Sequence, residues 1–479
     1  MRSHAEYFRE LLAQAEAEST ARAKSEWFAD HRRHVGNLRA ALEWAFSPSG
    51  DARLGVSLAA LATDFWIATS QLSELCDWGL KAVARLEAAE GTRLETMLQY
   101  GLGQALTYSR GMGSEAQAAL TRALALARAQ ADPTYQYRAR WGLWFFALRV
   151  VDFRECLRQS RELELLAETV DDQTAAAKAD LMFGIARFYL GEHSAAAKNL
   201  ERARTKYPIA TRGSDRLRFA WHLPSDVLSY RALNFWMLGF AERAYRAGRA
   251  AIKEARSVNR PVPLCNSLST PSSIILIKMG YLDEAERYTE ELLKQSETHS
   301  LAPYHVLGIC SKGELAAARG DTTEAERLLR VGLQQSREIG YYLFDAFFRG
   351  ELASVLASSG RLDEGLVEID AALRYAEESE SLWCMPEILR IKGELVERRS
   401  GTEGNAAEEW FIRARDLANR QHALSWELRA AISLARFWRD RHRAADAREL
   451  LEGVYRRFTE GFDTADLRAA KGLMTELSQ

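Results

Sequence analysis

Apolar residues between Cys310 and Gly340 recur at helical spacing on both sides of one break. The apolar positions are Leu315, Ala316 and Ala318 before the break, and Leu328, Leu329, Val331 and Leu333 after it. The break is Gly320-Asp321, and glycine is common where a helix ends in a left-handed conformation. This pattern predicts two helices joined by a tight turn. Gly313 and Ala325 are small, which suits positions where two helix backbones approach closely.

The same arrangement recurs along most of the chain with a period close to 40 residues. The small residue that follows each predicted turn is Cys76, Ala116, Cys156, Ala196, Ala244, Ala285, Ala325, Gly365, Ala407 or Ala447. Six units also carry a glycine about five residues earlier, namely Gly111, Gly191, Gly239, Gly280, Gly320 and Gly360. One helix pair cannot bury its apolar face alone, whereas stacked pairs can. We therefore predict an all-α fold, a right-handed solenoid of about ten helix pairs similar to tetratricopeptide (TPR) repeats. Its period of about 40 residues exceeds the usual 34.

The spacing also predicts how the chain is organised. We expect a helical lead-in over residues 1–50, pairs 1–4 over 51–204, pairs 5–10 over 224–462 and a capping helix over 463–479. Between the two sets of pairs, residues 205–223 form an irregular basic and aromatic insertion. This insertion accounts for the one long interval in the repeat, between Ala196 and Ala244.

Composition excludes several broad classes of function. The 479 residues carry 64 basic and 66 acidic side chains, so no global field favours nucleic acid or an anionic membrane. The longest strongly apolar run, Trp141 to Leu148, is far shorter than the roughly 20 residues that a membrane helix needs. Five cysteines without paired spacing are typical of a reduced cytoplasm. We expect a cytoplasmic protein that binds neither nucleic acid nor membrane directly.

Motifs for catalysis and for cofactors are missing from the sequence. There is no GxxxxGK[ST] phosphate loop, and the stretch GLGQAL (Gly101–Leu106) lacks the third glycine and the preceding strand of a dinucleotide site. No nucleophile-elbow motif supports a serine or cysteine nucleophile. We expect no enzymatic activity, no cofactor and no metal.

The candidate ligand-binding residues come from the predicted concave surface, which the first helix of each pair lines in a TPR superhelix. The candidates are Trp141, Phe145, Phe188, Tyr189 and Trp236 on that surface, with Arg212, Arg216, Arg218 and Trp221 in the insertion. Arginine beside aromatic rings suits an apolar or anionic group. Core packing is the alternative for the five aromatic residues. For the insertion, the alternative is a solvated loop that re-routes the superhelix.

Three stretches resemble a known family. They are VGNLRAALEWAFSPSGD (Val35–Asp51), EILRIKGELV (Glu387–Val396) and the long segment from Ala423 to Met474. Together they resemble the C-terminal, MalT-like helical-repeat region of bacterial signal-transduction ATPase (STAND) regulators, many of which are transcriptional regulators. The same region also follows some adenylate/guanylate cyclase domains. The family's ATPase and effector motifs are absent from this sequence, so ATP binding and DNA binding are not carried over.

The resemblance implies a non-catalytic sensor in signal transduction or transcriptional regulation. Such a domain would bind a small inducer or a protein partner on its concave face. The alternative is a protein-interaction scaffold without a small ligand, and self-association is open under both interpretations. The chain is either part of a longer regulator or a repeat protein that acts alone.

Overall fold

The computed structural model describes residues 1–18, 32–69, 71–86, 91–109, 113–169, 172–207, 222–270, 275–400 and 406–478. Within these ranges every regular element is a helix. None of the helices in these ranges has the length and apolar character that crossing a bilayer requires.

The helices form two leading helices, ten numbered pairs and one final helix. The leading helices are α1 (Arg2–Glu18) and α2 (Val35–Ala45), with a 3-10 turn at Arg32–His34. Pairs 1–5 consist of α3 (Ala52–Leu61) and α4 (Thr63–Ala68) with α5 (Leu72–Val83); α6 (Arg93–Ser109) with α7 (Ser114–Ala129); α8 (Pro133–Arg149) with α9 (Phe153–Thr169); α10 (Gln173–Tyr189) with α11 (His193–Lys206); and α12 (Leu223–Met237) with α13 (Ala241–Ser257). Pairs 6–10 consist of α14 (Pro261–Thr270) and α15 (Ile277–Met279) with α16 (Leu282–Thr298); α17 (Ala302–Ala318) with α18 (Thr322–Glu338); α19 (Asp345–Ser358) with α20 (Leu362–Glu378); α21 (Met385–Ser400), after a 3-10 turn at Leu382–Cys384, with α22 (Ala406–Arg420); and α23 (Leu424–Arg439) with α24 (Ala444–Tyr455). The final helix is α25 (Ala465–Glu476).

The predicted TPR-like solenoid of about ten pairs is confirmed. Each of the ten small residues that set the repeat lies in the second helix of a pair, within its first five positions. All ten are buried, and the side chains of Ala196, Ala244, Ala285 and Ala325 have no exposed area. The small residue therefore marks where the second helix crosses the first.

The turn at Gly320-Asp321 shows why the chain folds in this way locally. Gly320 has a φ of +86°, which closes the end of α17, and the Asp321 amide donates to the Ala316 carbonyl over 3.0 Å. The Asp321 carboxylate then accepts a hydrogen bond from the Glu324 amide at the start of α18. One dipeptide thus ends the first helix and caps the second.

First and second helices differ in burial. In α8, fourteen side chains from Tyr135 to Arg149 are buried, on nearly every face of the helix. In α13 the buried residues are only Ala241, Ala244, Gly248, Ala251, Ile252 and Ala255, which form one face. Most consecutive first helices contact one another, and first helices also contact second helices on both sides. The first helices therefore form the inner layer of the solenoid and the second helices the outer layer.

The solenoid closes on itself, because each of pairs 2–6 contacts the element five repeats further along the chain. The Tyr342 amide before α19 donates to the Arg149 carbonyl at the end of α8 (3.0 Å). The Trp236 and Trp426 rings meet edge to face at 4.7 Å. Pair 2 contacts pair 7 through α6 and α17, and pair 3 contacts pair 8 through Arg149 and Tyr342. Pair 4 contacts pair 9 through Phe188 and Trp383, and pair 5 contacts pair 10 through Trp236 with Ser425 and Trp426. Pair 6 contacts the segment of the final helix through Tyr281 and Asp463. We call these the inter-turn contacts. They imply a superhelix with about five pairs per turn whose turns stack edge to edge.

The turn glycines provide a matched test of the inter-turn contacts. Gly239 and Gly320 have nearly the same left-handed φ, +88° and +86°. A Cβ added at Gly239 would lie 2.7 Å from Leu424 Cδ2, whereas one added at Gly320 would have no neighbour within 4 Å. Gly239→Ala and Gly320→Ala therefore share the same backbone strain, and only the first crowds the next turn.

We expect Gly239→Ala to lose about 1–3 kcal/mol more stability than Gly320→Ala, which is the usual effect of overpacking. Urea unfolding followed by circular dichroism measures the difference. Equal losses in the two variants would show that the turns do not touch at this point in solution.

Candidate functional site

The five aromatic residues predicted for the inner surface are all buried. Phe188 contacts the Trp383 ring at 5.8 Å, Tyr189 contacts Phe344 and Trp383, and Trp236 contacts Trp426. These three therefore take part in the contact between turns. Trp141 stacks on Trp144 at 5.3 Å, and Phe145 stacks on Tyr108 at 5.0 Å. No open groove reaches these side chains in the described part of the chain, and their role in ligand binding stays a prediction.

The other four candidates, Arg212, Arg216, Arg218 and Trp221, lie outside the described residues. The structure describes the chain only to Tyr207 before the insertion and from His222 after it. Their predicted role is therefore not tested.

Arg149, the last residue of α8, is the centre of the candidate site. Its side chain is 3% exposed, and its guanidinium lies against four aromatic rings. The distances from guanidinium carbon to ring centre are 4.2 Å for Phe145, 5.0 Å for Tyr341, 5.3 Å for Tyr304 and 5.5 Å for Tyr108. These residues come from pairs 2, 3 and 7 and from the start of pair 8, so both turns of the superhelix contribute to one aromatic cage.

Arg149 differs from the other buried arginines in its charge environment. Arg138 binds Asp64 through two hydrogen bonds, Arg140 binds Glu162, and Arg390 binds Glu387. In the described part of the chain, Arg149 makes no ion pair, and its Nε and one Nη have no hydrogen-bond partner. A buried cation without a counter-ion is costly, so Arg149 is the residue of this region that we consider for ligand binding.

A small cavity of about 20 Å³ adjoins the Arg149 cage. Phe145, Tyr304, Asn266 and Ser269 are among its lining residues. The Tyr108 and Tyr304 hydroxyls are buried and find no hydrogen-bond partner among the described residues. Burial raises the pKa of both hydroxyls, so they keep their protons at neutral pH. Of the two tyrosines only Tyr304 lines the cavity, so the cavity offers hydrogen-bond donors from Arg149 and Tyr304. The larger depression on the outer face of α7 is shallow and has no such convergence of buried polar groups.

Asp226 lies beside this cavity but does not neutralise Arg149. Its side chain is fully buried, and Oδ1 accepts from Asn266 Nδ2 over 2.8 Å. Burial raises the pKa of Asp226 to about 8, against the opposing effects of the Asn266 hydrogen bond and of the Lys178 and Arg260 charges. The carboxyl is therefore mostly protonated at neutral pH.

Charged residues on the later inner helices are paired with each other. Lys278 Nζ lies 2.7 Å from Glu351 and 3.1 Å from Glu314. Arg429 joins Glu387 at 2.9 Å and Asp466 at 2.8 Å, which ties α23 to α21 and α25. Such buried pairs hold these inner helices together and leave little free charge for a ligand, in contrast to Arg149.

The turn after Arg149 is strained. Val151 occupies the repeat position of Gly191 and Gly239, and it has a φ of +59°. A β-branched residue in the left-handed region is a true outlier, and such strain costs of order 1–3 kcal/mol and clusters at functional sites. Sequence reasoning missed Arg149. The sequence pattern that could have identified it is that Arg149 and Val151 occupy the repeat positions held by Tyr189 and Gly191 in the next pair.

No group of three or more His, Cys, Asp or Glu side chains is placed to hold a metal ion among the residues that the structure describes. The five cysteines, all within the described residues, are buried and form no disulfide.

No protein-family profile matches the sequence. The search of curated proteins found no match either.

Several solved structures resemble the chain in its helical-repeat shape. A Rap protein complexed with competence and sporulation factor has a TM-score of 0.48 at 12% identity, over 88% of this chain and 99% of that chain. NprR in complex with its cognate peptide NprX has a TM-score of 0.45 at 12% identity, over 72% and 99%. A STAND protein with a tetratricopeptide repeat sensor from Pyrococcus horikoshii has a TM-score of 0.40 at 13% identity, over 90% and 71%. At these scores the likenesses assign neither a ligand nor a partner to this chain.

Substitution of two arginines of α8 tests whether Arg149 lacks a counter-ion within the protein. Arg138→Met leaves Asp64 buried without its partner and should cost about 3–5 kcal/mol. Arg149→Met removes a cation that has no carboxylate partner, and methionine keeps contacts with the surrounding rings. Its stability should stay within about 1 kcal/mol of the parent, because the lost ring contacts are offset by relief of the buried charge. Urea unfolding in chloride buffer at pH 7 measures the stability of the two variants. Equal losses of stability would contradict the conclusion that Arg149 has no counter-ion.

Asp226 should make stability depend on pH. Because its pKa rises from 3.8 unfolded to about 8 folded, the folded chain holds a proton that the unfolded chain loses between about pH 4 and pH 8. The contribution of Asp226 to the free energy of unfolding is therefore complete below pH 4. It is lost as the pH rises from 4 through 8, by at most about 1.4 kcal/mol per pH unit. Asp226→Asn stays neutral and should lack this slope. The urea midpoints of parent and variant are compared between pH 5 and pH 9. If the two sets of midpoints change with pH in parallel, the raised pKa of Asp226 is refuted.

Proposed function

We propose that the chain is a non-catalytic sensor domain that binds a small molecule inside its closed superhelix. The observation that supports this most directly is the Arg149 cage, where polar groups without protein partners converge among aromatic rings. Buried polar groups of this kind within an apolar pocket are typical of ligand sites. A role in signal transduction or transcriptional regulation follows from the sequence resemblance and belongs to the same proposal.

The position of the cage suggests how binding is transmitted. Phe145 and Arg149 belong to the first turn of the superhelix, while Tyr304 and Tyr341 belong to the second. A ligand between them contacts both turns and stabilises the closed arrangement relative to an open one. A ligand changes a conformational equilibrium only by its differential affinity for the two states, and this site provides such a difference. The edge of the superhelix then reports occupancy to a partner protein.

A protein-interaction scaffold without a small ligand remains the competing function. The structure of the inner layer weighs against a preformed peptide groove there, because the inner aromatic residues are covered by the next turn. A scaffold would use the outer helices instead, and it gives the Arg149 cage no role.

Thermal unfolding with a small-molecule panel separates the two functions. The panel should contain neutral sugars, amino acids, amines, dicarboxylates and phosphorylated metabolites. We expect at least one class to raise the melting temperature with a saturable dependence, since a ligand at 100 times its dissociation constant adds about 2.7 kcal/mol. The control is Leu307→Phe, which fills the cavity from its lining and should abolish the effect. A parent protein that responds to no small molecule would support the scaffold.

A further inference from the structure

We infer that the ligand of the cage is a small molecule with a carboxylate or phosphate group, held by the Arg149 guanidinium and the Tyr304 hydroxyl. This inference rests on the proposed sensor function and names the chemical class that the sensor recognises.

The first argument is charge. Among the described residues, the buried arginines Arg138, Arg140 and Arg390 each have a carboxylate within 3.0 Å. Arg149 is buried to the same degree and has none. Asp226, the carboxyl beside the cavity, is held by Asn266 rather than by Arg149. The cage therefore carries a net positive charge that an oxyanion neutralises.

The second argument is hydrogen bonding. A guanidinium carries five N–H donors and no acceptor, and it binds carboxylate or phosphate through two parallel bonds. Tyr304 lines the cavity, and its buried hydroxyl adds a further O–H donor without a partner. Because these side chains mainly donate hydrogen bonds, they favour a ligand group that only accepts them. An ionised carboxylate or phosphate is such a group. A neutral sugar or a cation fits this set poorly, because it brings donors of its own.

The third argument is shape. The rings of Phe145, Tyr304 and Tyr341 lie on the guanidinium, and Arg149 lines the cavity. The cavity of about 20 Å³ has the size of one water site, so a carboxylate or phosphate group reaches Arg149 only when the lining side chains move apart. Asn266 and Ser269 line the same cavity and provide polar contacts for the rest of the molecule.

The test uses inorganic phosphate and acetate as probes, each titrated at constant ionic strength against sodium chloride. We expect one or both to raise the melting temperature of the full chain with saturation. The probe that saturates at the lower concentration identifies the group, phosphate or carboxylate. General salt stabilisation is unsaturable and equal in all variants, so the saturable part is the readout.

Three variants locate the binding. Arg149→Met, with an unchanged circular dichroism spectrum, should lose the saturable response. Arg149→Lys keeps the charge without the planar fork and should bind at least tenfold more weakly. Arg361→Met is the matched control, because Arg361 is half exposed and already paired with Glu326 and Glu364. It should respond as the parent does.

Each other outcome overturns the inference. A saturable response that persists unchanged in Arg149→Met places the anion elsewhere. A parent protein without any saturable anion response excludes an anion site. In that case a neutral compound that still binds and is blocked by Leu307→Phe would leave the sensor function standing, whereas no binding at all would remove both.

Discussion

The edge-to-edge contact between successive turns of the superhelix is the constraint on which the rest of this structure depends. Each pair from 2 to 6 must fit the element five repeats later, although the contacting residues are far apart in sequence. Ser425 and the Trp236 carbonyl are 189 residues apart, and Arg154 and Glu380 are 226 apart. In an open solenoid each repeat touches only its neighbours. Here a second set of contacts joins distant repeats, so the inner layer is covered and unfolding should be more cooperative.

The contact also explains where small residues occur at the turns. Gly191 lies against Gln421, Gly239 against Leu424 and Gly461 against Ala241, so each occupies a close approach between turns. Gly320 and Gly360 have the same backbone conformation and open space around them. Glycine is needed only for the left-handed φ at Gly320 and Gly360, whereas at Gly191, Gly239 and Gly461 it is needed for both reasons.

Repeat spacing was sufficient to predict the helix pairs, because Ala325 and its equivalents are small wherever two helices cross. Closure was not predictable, since it depends on the sum of many small rotations between repeats rather than on any local pattern. Phe188 and Trp236 were predicted to bind a ligand on the concave face, but the sequence could not show that Trp383 and Trp426 cover them. Arg149 was missed for a similar reason. That a buried cation lacks a counter-ion becomes evident only when all its neighbours in space are known.

The Arg149 cage and the paired charges of the later repeats represent two uses of buried charge. Lys278 is hydrogen-bonded to Glu351 and lies 3.1 Å from Glu314, and these contacts fix how their helices pack. Arg149 is left with aromatic neighbours and a strained turn at Val151. In the proposed sensor, a ligand would offset the cost of this combination. Because the cage spans both turns, we propose that its occupancy is coupled to closure of the superhelix.

A disulfide between the two turns tests closure most directly. A Cβ added at Gly280 would lie 3.2 Å from Ala465 Cβ, a few tenths of an ångström below the roughly 3.5–4.5 Å that a disulfide spans, so a small shift brings the pair into range. The five native cysteines are buried and should not compete. Gly280→Cys with Ala465→Cys should form an intramolecular disulfide under mild oxidation, seen as a shift on non-reducing gels, while Gly320→Cys with Ala465→Cys should not. Two free, reactive thiols in the first variant would contradict a closed superhelix.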